Sequence, residues 1–350
     1  MVVVSHGRLR SIAARILAAA GALDADANLV ADHLVDANLA GHDSHGVSMV
    51  PHYVRAILRR VLDPRAHAVV EDRGGAVLAV DGRHGFGQVV AREGIAAGIA
   101  RAAEAGVVAV ALRDAFHVGR VGAYAELAAG AGLVSIHFAN VVGHPPLVAP
   151  FRGREGRLAT NPFCVGVPGP GGAPAVLLDF ATSEVAFGKV RDAQARGEPA
   201  PKGALVDAQG RATEDPAVLF ETPRGALLPF GAHKGSGLAL VCELLAGALG
   251  GGGTVSRVPY EEARIGNNML SILLDPARLP GGAGLAAEVA ATVSWVKGSP
   301  PADPELPVRV AGEPEAASRA ARIAAGIPVD GAIWEELRAA AVSVGATLDG

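Results

Sequence analysis

Residues 107–112, VVAVAL, form a run of six apolar residues with no polar face to offer water, and far too short to span a membrane. Such a run suits a strand covered on both sides, which requires helices above and below a sheet. The neighbouring sequence supplies them. An Ala-rich helical stretch over 88–105 is closed by Gly106 directly before the run. A second helical pattern over 124–131, with Gly132 as its stop, leads into the strand-like LVSIHFAN. Helix, glycine and strand in tandem mark a layered α/β domain. Further strands are expected at HAVVED, AVLAVDG, AVLLDF and MLSILLD. Thr182 or Ser183 is expected to cap a helix, and 234–249 reads as a strongly apolar helix ending in four glycines. The Gly- and Pro-rich stretch 197–230 reads as an excursion over the surface.

Both ends of the chain read as helices. Leu9, Ile12, Ile16 and Leu17 recur at helical spacing, Asp24 or Asp26 is placed to cap a second helix, and Pro51 fits a third only in its first turn. Helical patterns return over 285–296, 315–325 and 333–341. The expected division is one helical domain from 1–70 and 283–350 around a central α/β region, 71–282. Composition narrows the class. With 31 Lys+Arg against 35 Asp+Glu, a net charge of −4 and no block of like charge, a nucleic-acid surface or polybasic membrane contact is not expected. A chain that is 50% apolar can offset the entropy of ordering. Cys164 and Cys242 stand far apart with no C-x-x-C, so neither a disulfide framework nor a thiolate zinc site is expected. MVVVSHGRLR lacks the pattern of a signal peptide, and the expectation is a soluble, cytoplasmic protein.

Three polar clusters interrupt this pattern. The first is His42, Asp43, Ser44 and His45, in a loop between two helices. Four readings are open: a helix cap, a metal pair, a Ser/His nucleophile, or a general acid whose imidazole titrates near neutrality. The spacing differs from the H-x-x-x-H of a helical metal pair, and no G-x-S-x-G elbow exists. The second is His117 and Arg120 just beyond the 107–112 strand, where open α/β sheets collect ligands, with Asn140 in the analogous place after the next strand. Thr160 and Asn161 form a further polar turn. A solvated loop is the alternative. The third is His233 and Lys234 with small residues behind them, opening a helix as an anion site would. The chain contains neither a Walker A loop nor G-x-G-x-x-G.

ANLAGHDSHGVSMVPHYV, HVGRVGAYAELAAGAG, RLATNPF, LLDFATSEVAFGKV, RGEPAPKGALVDAQG, AHKGSGLAL and AGEPEAASRAARIAAGIPVD follow one another along residues 37–330. Together they resemble the type-2 malate/L-lactate dehydrogenase family, over essentially the whole chain. The resemblance implies an atypical, non-Rossmann NAD(P)-binding α/β domain with a helical domain formed by both termini. It implies a homodimer that interconverts 2-oxo and 2-hydroxy acids with NAD, or alternatively NADP. His45 matches the residue usually assigned as proton donor, with Ser44 beside it in the substrate pocket. His117 matches a histidine given the acid/base role in another branch. Cofactor contacts are implied at Asn140, at Asp179, Phe180, Ala181, Thr182 and Ser183, at His233 and Lys234, and at Gly312, Glu313 and Pro314.

One departure from the family is visible. Several relatives carry a cation two residues after HGV and another three later, where this chain has Met49 and His52. A substrate pocket of Ser44, Met49, His52, Arg120, Thr160 and Asn161 is therefore expected, with Arg120 as carboxylate anchor and Phe116 and Tyr53 extending an apolar wall. Such a pocket favours an aromatic 2-oxo acid such as a phenylpyruvate over malate. The competing readings are a cyclic imino-acid reductase of the same family, a metal-dependent hydrolase built on His42, Asp43 and His45, and a non-catalytic nucleotide binder. No metal is expected in the leading reading.

Overall fold

The computed structural model describes residues 1–348. The first strand, β1 (Val2–Val4), precedes α1 (His6–Ala19), α2 (Asp24–Leu39) and α3 (Val50–Leu58). Ser5 caps α1 by accepting from the Arg8 amide. Asp24 and Asp26 do not cap α2: they lie inside its first turn, where negative charge suits the helix N-terminus, and Leu23 holds the cap position. Pro51 falls in the first turn of α3, where its missing N–H costs no helical bond. Next come β2 (Val69–Asp72), β3 (Val77–Asp81), α4 (Gly87–Ala105), β4 (Val107–Ala115), α5 (Gly122–Gly130) and β5 (Val134–Val142). Gly106 closes α4 at φ +77, a left-handed conformation that favours glycine.

β6 (Phe163–Pro168) was not anticipated from the sequence, and β7 (Pro174–Phe180) pairs with it. α6 begins only at Phe187 and ends at Arg196, and Ala186 holds its cap position. Thr182 and Ser183 therefore cap nothing. Thr182 Oγ1 instead donates to the carbonyls of Thr160 and Asn161, and Ser183 Oγ to that of Val185. The segment 197–230 is more than a loop. It carries a small sheet of β8 (Leu205–Val206), β9 (Ala212–Thr213) and β10 (Ala226–Leu227), with Leu205, Leu219 and Leu227 in an apolar cluster of its own. α7 (His233–Cys242) continues as a π-helical turn over Glu243–Leu249. β11 (Gly266–Leu274), α8 (Leu285–Lys297), α9 (Glu313–Ala325), β12 (Ile327–Val329) and α10 (Gly331–Ser343) complete the chain.

The main sheet has seven strands in the order β2-β3-β4-β11-β5-β6-β7. β3 and β4 are parallel, and every other pair is antiparallel. Because β11 runs against both β4 and β5, those two point the same way, and β3 and β7 point with them. The carboxyl ends of β3, β4, β5 and β7 thus share one edge. One buried apolar cluster packs α4 and α5 onto this sheet. A second draws on α1, α2 and α3 together with Ile327, Val329, Leu337 and Leu348, so residues from both ends share a core. β1 and β12 pair antiparallel, Val2 opposite Val329. α8 and α9 bury no residue fully, and among the described residues no helix is long and apolar enough to cross a membrane.

α4 comes close to the sheet at Gly98. A Cβ there would lie 2.6 Å from Val110 Cγ2 and 3.0 Å from Leu273 Cδ1, whereas at Gly7 it would meet nothing within 4 Å. Gly98→Ala is expected to lower stability by about 1–3 kcal/mol through overpacking, despite its better helix propensity. Gly7→Ala should be neutral or stabilising. Urea unfolding of the two variants checks this: equal stabilisation of both would mean that α4 does not seat so closely.

Candidate active site

The HDSHG loop is held by its neighbours more than by its own turn. It forms a 3₁₀ turn, Asp43–His45, in which Asp43 caps no helix. Its carboxylate instead accepts a two-pronged bond from Arg322 of α9, at 2.7 and 2.9 Å, and another from Asn38 Nδ2 at 2.6 Å. Asn38 Oδ1 in turn accepts from the Val47 amide, and a Cβ on Gly46 would fall 2.3 Å from that oxygen. Glycine is needed there for the close approach. On the loop's outer side, a Cβ on Gly188 would lie 2.5 Å from Ser44 Cβ, so the first turn of α6 rests directly on Ser44.

The loop directs its polar groups apart. His42 turns toward Glu315 at 3.4 Å, Asp43 toward Arg322, and His45 toward His117. The hydrolase reading required all three on one ion. Among the described residues no group of three or more His, Cys, Asp or Glu side chains is arranged to hold a metal ion. His45 and His117 are brought together: His45 Nδ1 and His117 Nε2 are 3.1 Å apart, with the rings stacked at 5.2 Å.

Burial keeps these imidazoles neutral. It pushes His45 down to about 4, with the charges of His42 and Arg120 adding to the effect. His117 is held well below its ordinary value by burial, and then by His45, His52 and His33. His33, whose Nε2 accepts from the Arg120 amide, is pushed to about 3 by burial ahead of the Arg120 charge. Burial and Arg55 bring His52 to about 4.

Arg120 lies at the carboxyl end of β4 with its side chain only 1% exposed. Its Nη2 pairs with Glu126 at 2.6 Å, while Nε and Nη1 are buried without a partner. Asp179, at the end of β7, faces this arginine and accepts from the Gly122 amide at 2.7 Å. Burial raises its carboxyl, and Arg120 opposes that rise. Gly312, at φ +97, sets the start of α9 against β7, with the Leu177 amide on the Ala311 carbonyl. Glu313 pairs with Lys297 and accepts from the Val310 amide, and Pro314 stands in the first turn. Phe180 packs edge-on against Phe163 and Phe230, with Ala181 partly buried beside it. His233 and Lys234 are exposed at the start of α7, and the preceding Ala232 sits at φ +56. Such a backbone is strained for alanine and persists only where its surroundings enforce it.

Asn140 and Asn161 sit at the expected edge, but their side chains are fully engaged. Asn140 donates to Glu243 and to the Gly253 carbonyl while accepting from Asn268. Asn161 donates to Glu243 and the Ala239 carbonyl and accepts from the Val141 amide. Thr160 gives its carbonyl to Thr182. Asn267 and Asn268 accept from the Val118 and Asp114 amides and so fix the loop that carries His117. Sequence reading missed Glu243, Asn267, Asn268, Asn38, Gln88 and Arg322. The available signal was a polar residue inside an apolar helix or strand, such as Gln88 ahead of VVA.

Met49 packs partly buried against the helical core. Tyr53 and Phe116 are fully buried in that core, so they do not line an open wall as expected. The open space lies beside His52: a cavity of about 290 Å³ lined by His52, His144, Phe187, Phe220, Arg224 and Tyr260 among others. His52 Nε2 is buried and unpartnered.

The malate/L-lactate dehydrogenase family matches residues 4–338. Hydroxycarboxylate dehydrogenase B of Escherichia coli is 46% identical over 327 residues, 93% of this chain and 90% of that protein. The L-lactate dehydrogenase of Cupriavidus necator is 40% identical over 341 residues, 97% of each. A solved E. coli structure described as a malate/lactate dehydrogenase superposes with a TM-score of 0.94 at 43% identity, covering 99% of this chain and 96% of that one.

The neutral histidines make stability pH-dependent. Their folded values lie below the unfolded value of about 6.5, so between about 4 and 6.5 the unfolded chain binds more protons. Stability should be fully present above pH 6.5 and fall on acidification, by up to about 1.4 kcal/mol per pH unit for each histidine involved. Urea midpoints from pH 7.5 to 4.5 check this. A midpoint that stays flat through that window would mean the rings are not buried neutral.

Proposed function

The chain belongs to the malate/L-lactate dehydrogenase family, and from that premise we propose that it interconverts 2-oxo and 2-hydroxy acids at the edge where His45 meets His117. The observation that carries the reading is this pair, 3.1 Å apart, with His117 buried and His45 partly buried in front of it. A nicotinamide dinucleotide, NADH or NADPH, would supply the hydride. The residues present fit such a group. Glu315 Oε2 is buried without a partner, and Lys234 stands exposed on a helix N-terminus behind a strained turn. Asp179–Ser183, Gly312–Pro314, His233 and Lys234 would bind the dinucleotide. Asn140 would serve by holding the end of β5.

In the reduction direction His45 gives its Nε2 proton to the substrate oxygen as negative charge develops there, and its Nδ1 takes up a proton in exchange, supplied from solvent by way of His117. His117 holds that ring in place. The substrate carboxylate is assigned to the free nitrogens of Arg120, Nε and Nη1. The side chain of the substrate is assigned to the cavity beside His52, whose rings Phe187, Phe220 and Tyr260 suit an aromatic 2-oxo acid. We further propose that the protein works in the cytoplasm as a homodimer. Trp295, 81% exposed on α8, and Leu240, Leu244 and Leu249 along α7 and its π-turn present apolar surface for a second copy to cover.

Coenzyme consumption with a panel of phenylpyruvate, oxaloacetate, pyruvate and a cyclic imino acid tests this reading. Phenylpyruvate is expected to show the higher kcat/KM. Preference for oxaloacetate would overturn the substrate assignment, and turnover of the imino acid alone would favour the reductase. His45→Ala is expected to lower kcat by about 10²–10⁴-fold with cofactor affinity nearly intact. If His117→Ala shows that signature and His45→Ala only raises KM, the two roles are exchanged.

A further inference from the structure

Behind the two histidines lies a pair of residues that makes no approach to the substrate side. Tyr53 of α3 is fully buried, and its hydroxyl stands between two partners. His117 Nδ1 is 2.7 Å away on one side, and Gln88 Nε2, from the first turn of α4, is 2.6 Å away on the other. An amide nitrogen can only donate, so the phenol oxygen accepts from Gln88. The phenol's one proton then goes to His117 Nδ1. An imidazole that accepts at Nδ1 carries its proton on Nε2, and His117 Nε2 faces His45 Nδ1 at 3.1 Å. His45 Nδ1 is thereby an acceptor in its turn, and its own proton must sit on Nε2.

We propose that Tyr53 and Gln88 are positioning residues that fix the tautomer of both histidines, so that His45 presents Nε2–H to the substrate oxygen. Three bonds, Gln88 to Tyr53, Tyr53 to His117 and His117 to His45, run in one direction across helices α3 and α4 and the loop after β4. Burial supports the arrangement, since a phenol and two imidazoles in this setting each need their partners, and reversing one link would set donor against donor. The fully buried Tyr53 ring, edge-on to Phe116 at 5.6 Å and tilted against Phe86 at 6.0 Å, is locked in place. The inference rests on His45 being the ring that meets the substrate, but the tautomers themselves are measurable without any turnover.

The test is ¹⁵N NMR of the imidazoles in the ligand-free protein, alongside kinetics of Tyr53→Phe, which keeps the ring and removes only the hydroxyl. The wild type is expected to show both His45 and His117 as Nε2–H, and Tyr53→Phe should turn His117 into a mixture of tautomers. kcat should fall about 10- to 100-fold while KM changes less than about 3-fold, the pattern of a group that orients a proton donor. If Tyr53→Phe fails to fold, Gln88→Met, which removes the donor at similar volume, gives the same NMR readout. Nδ1–H tautomers in the wild type would mean that the Gln88 amide is turned over and the chain runs the other way, which overturns the proposal. Unchanged tautomers in both variants would overturn it as well. A shift of tautomer with kcat unaltered would leave the positioning of the rings intact and instead sink His45 as proton donor.

Discussion

The fork of Arg322 on Asp43 joins residues 279 positions apart and fixes the loop to which the proposed proton transfer is assigned. Both partners are partly exposed, at 20% and 42%, so the pair is worth at most about 1 kcal/mol to stability. Its importance is geometric. Planar, two-point binding sets the orientation of Asp43 and, through the tight turn that follows, the direction of His45. The same requirement explains why the chain closes on itself. β1 pairs with β12, residues from both ends fill one core, and α9 is thereby placed where Arg322 reaches the loop.

The second wall comes from the sheet. By running against both β4 and β5, β11 leaves β3, β4, β5 and β7 pointing the same way, so the loops carrying His117, Arg120 and Asp179 meet at one edge. β11 also supplies Asn267 and Asn268, which tie the backbone after β4 to Asn140 at the end of β5. Glu243 gathers Asn140 and Asn161 from below, in a π-turn that a regular helix would not provide. Asn140, Asn161, Asn267, Asn268 and Glu243 all have partners in this network, which gives the edge its rigidity, while Arg120 Nε and Nη1 and His52 Nε2 are left with capacity to spare.

Much of this was legible in the sequence. The strand after α4, the glycine stops and the helical periodicity at both ends depend on residues near one another in the chain, so local pattern carries them; β4 is not covered on both faces as its apolar run suggested, since Val108, Val110 and Leu112 are buried while Val107, Ala109 and Ala111 on the other face are not. The same holds for the placement of His117 and Arg120 beyond β4. Four things were not legible, each for a physical reason. β6 is short and its FCVGVP lacks clear alternation. Thr182 and Ser183 resemble caps, but their hydroxyls are taken by long-range carbonyls. The insertion of β11 between β4 and β5 joins strands more than a hundred residues apart, and no local pattern records it. Tyr53 read as apolar surface because a phenol looks the same to periodicity whether its oxygen meets water or an imidazole.

In the proposed reaction His45 is the group that meets the reacting oxygen. A crystal structure with NADPH and an unreactive 2-oxo acid analogue measures this directly. The expected result places His45 Nε2 within about 3 Å of the oxo oxygen, at hydrogen-bond distance, with His117 behind it and Lys234 against the nucleotide. An oxo oxygen bonded to His117 with His45 turned away, or a nucleotide lying far from Lys234, would contradict it.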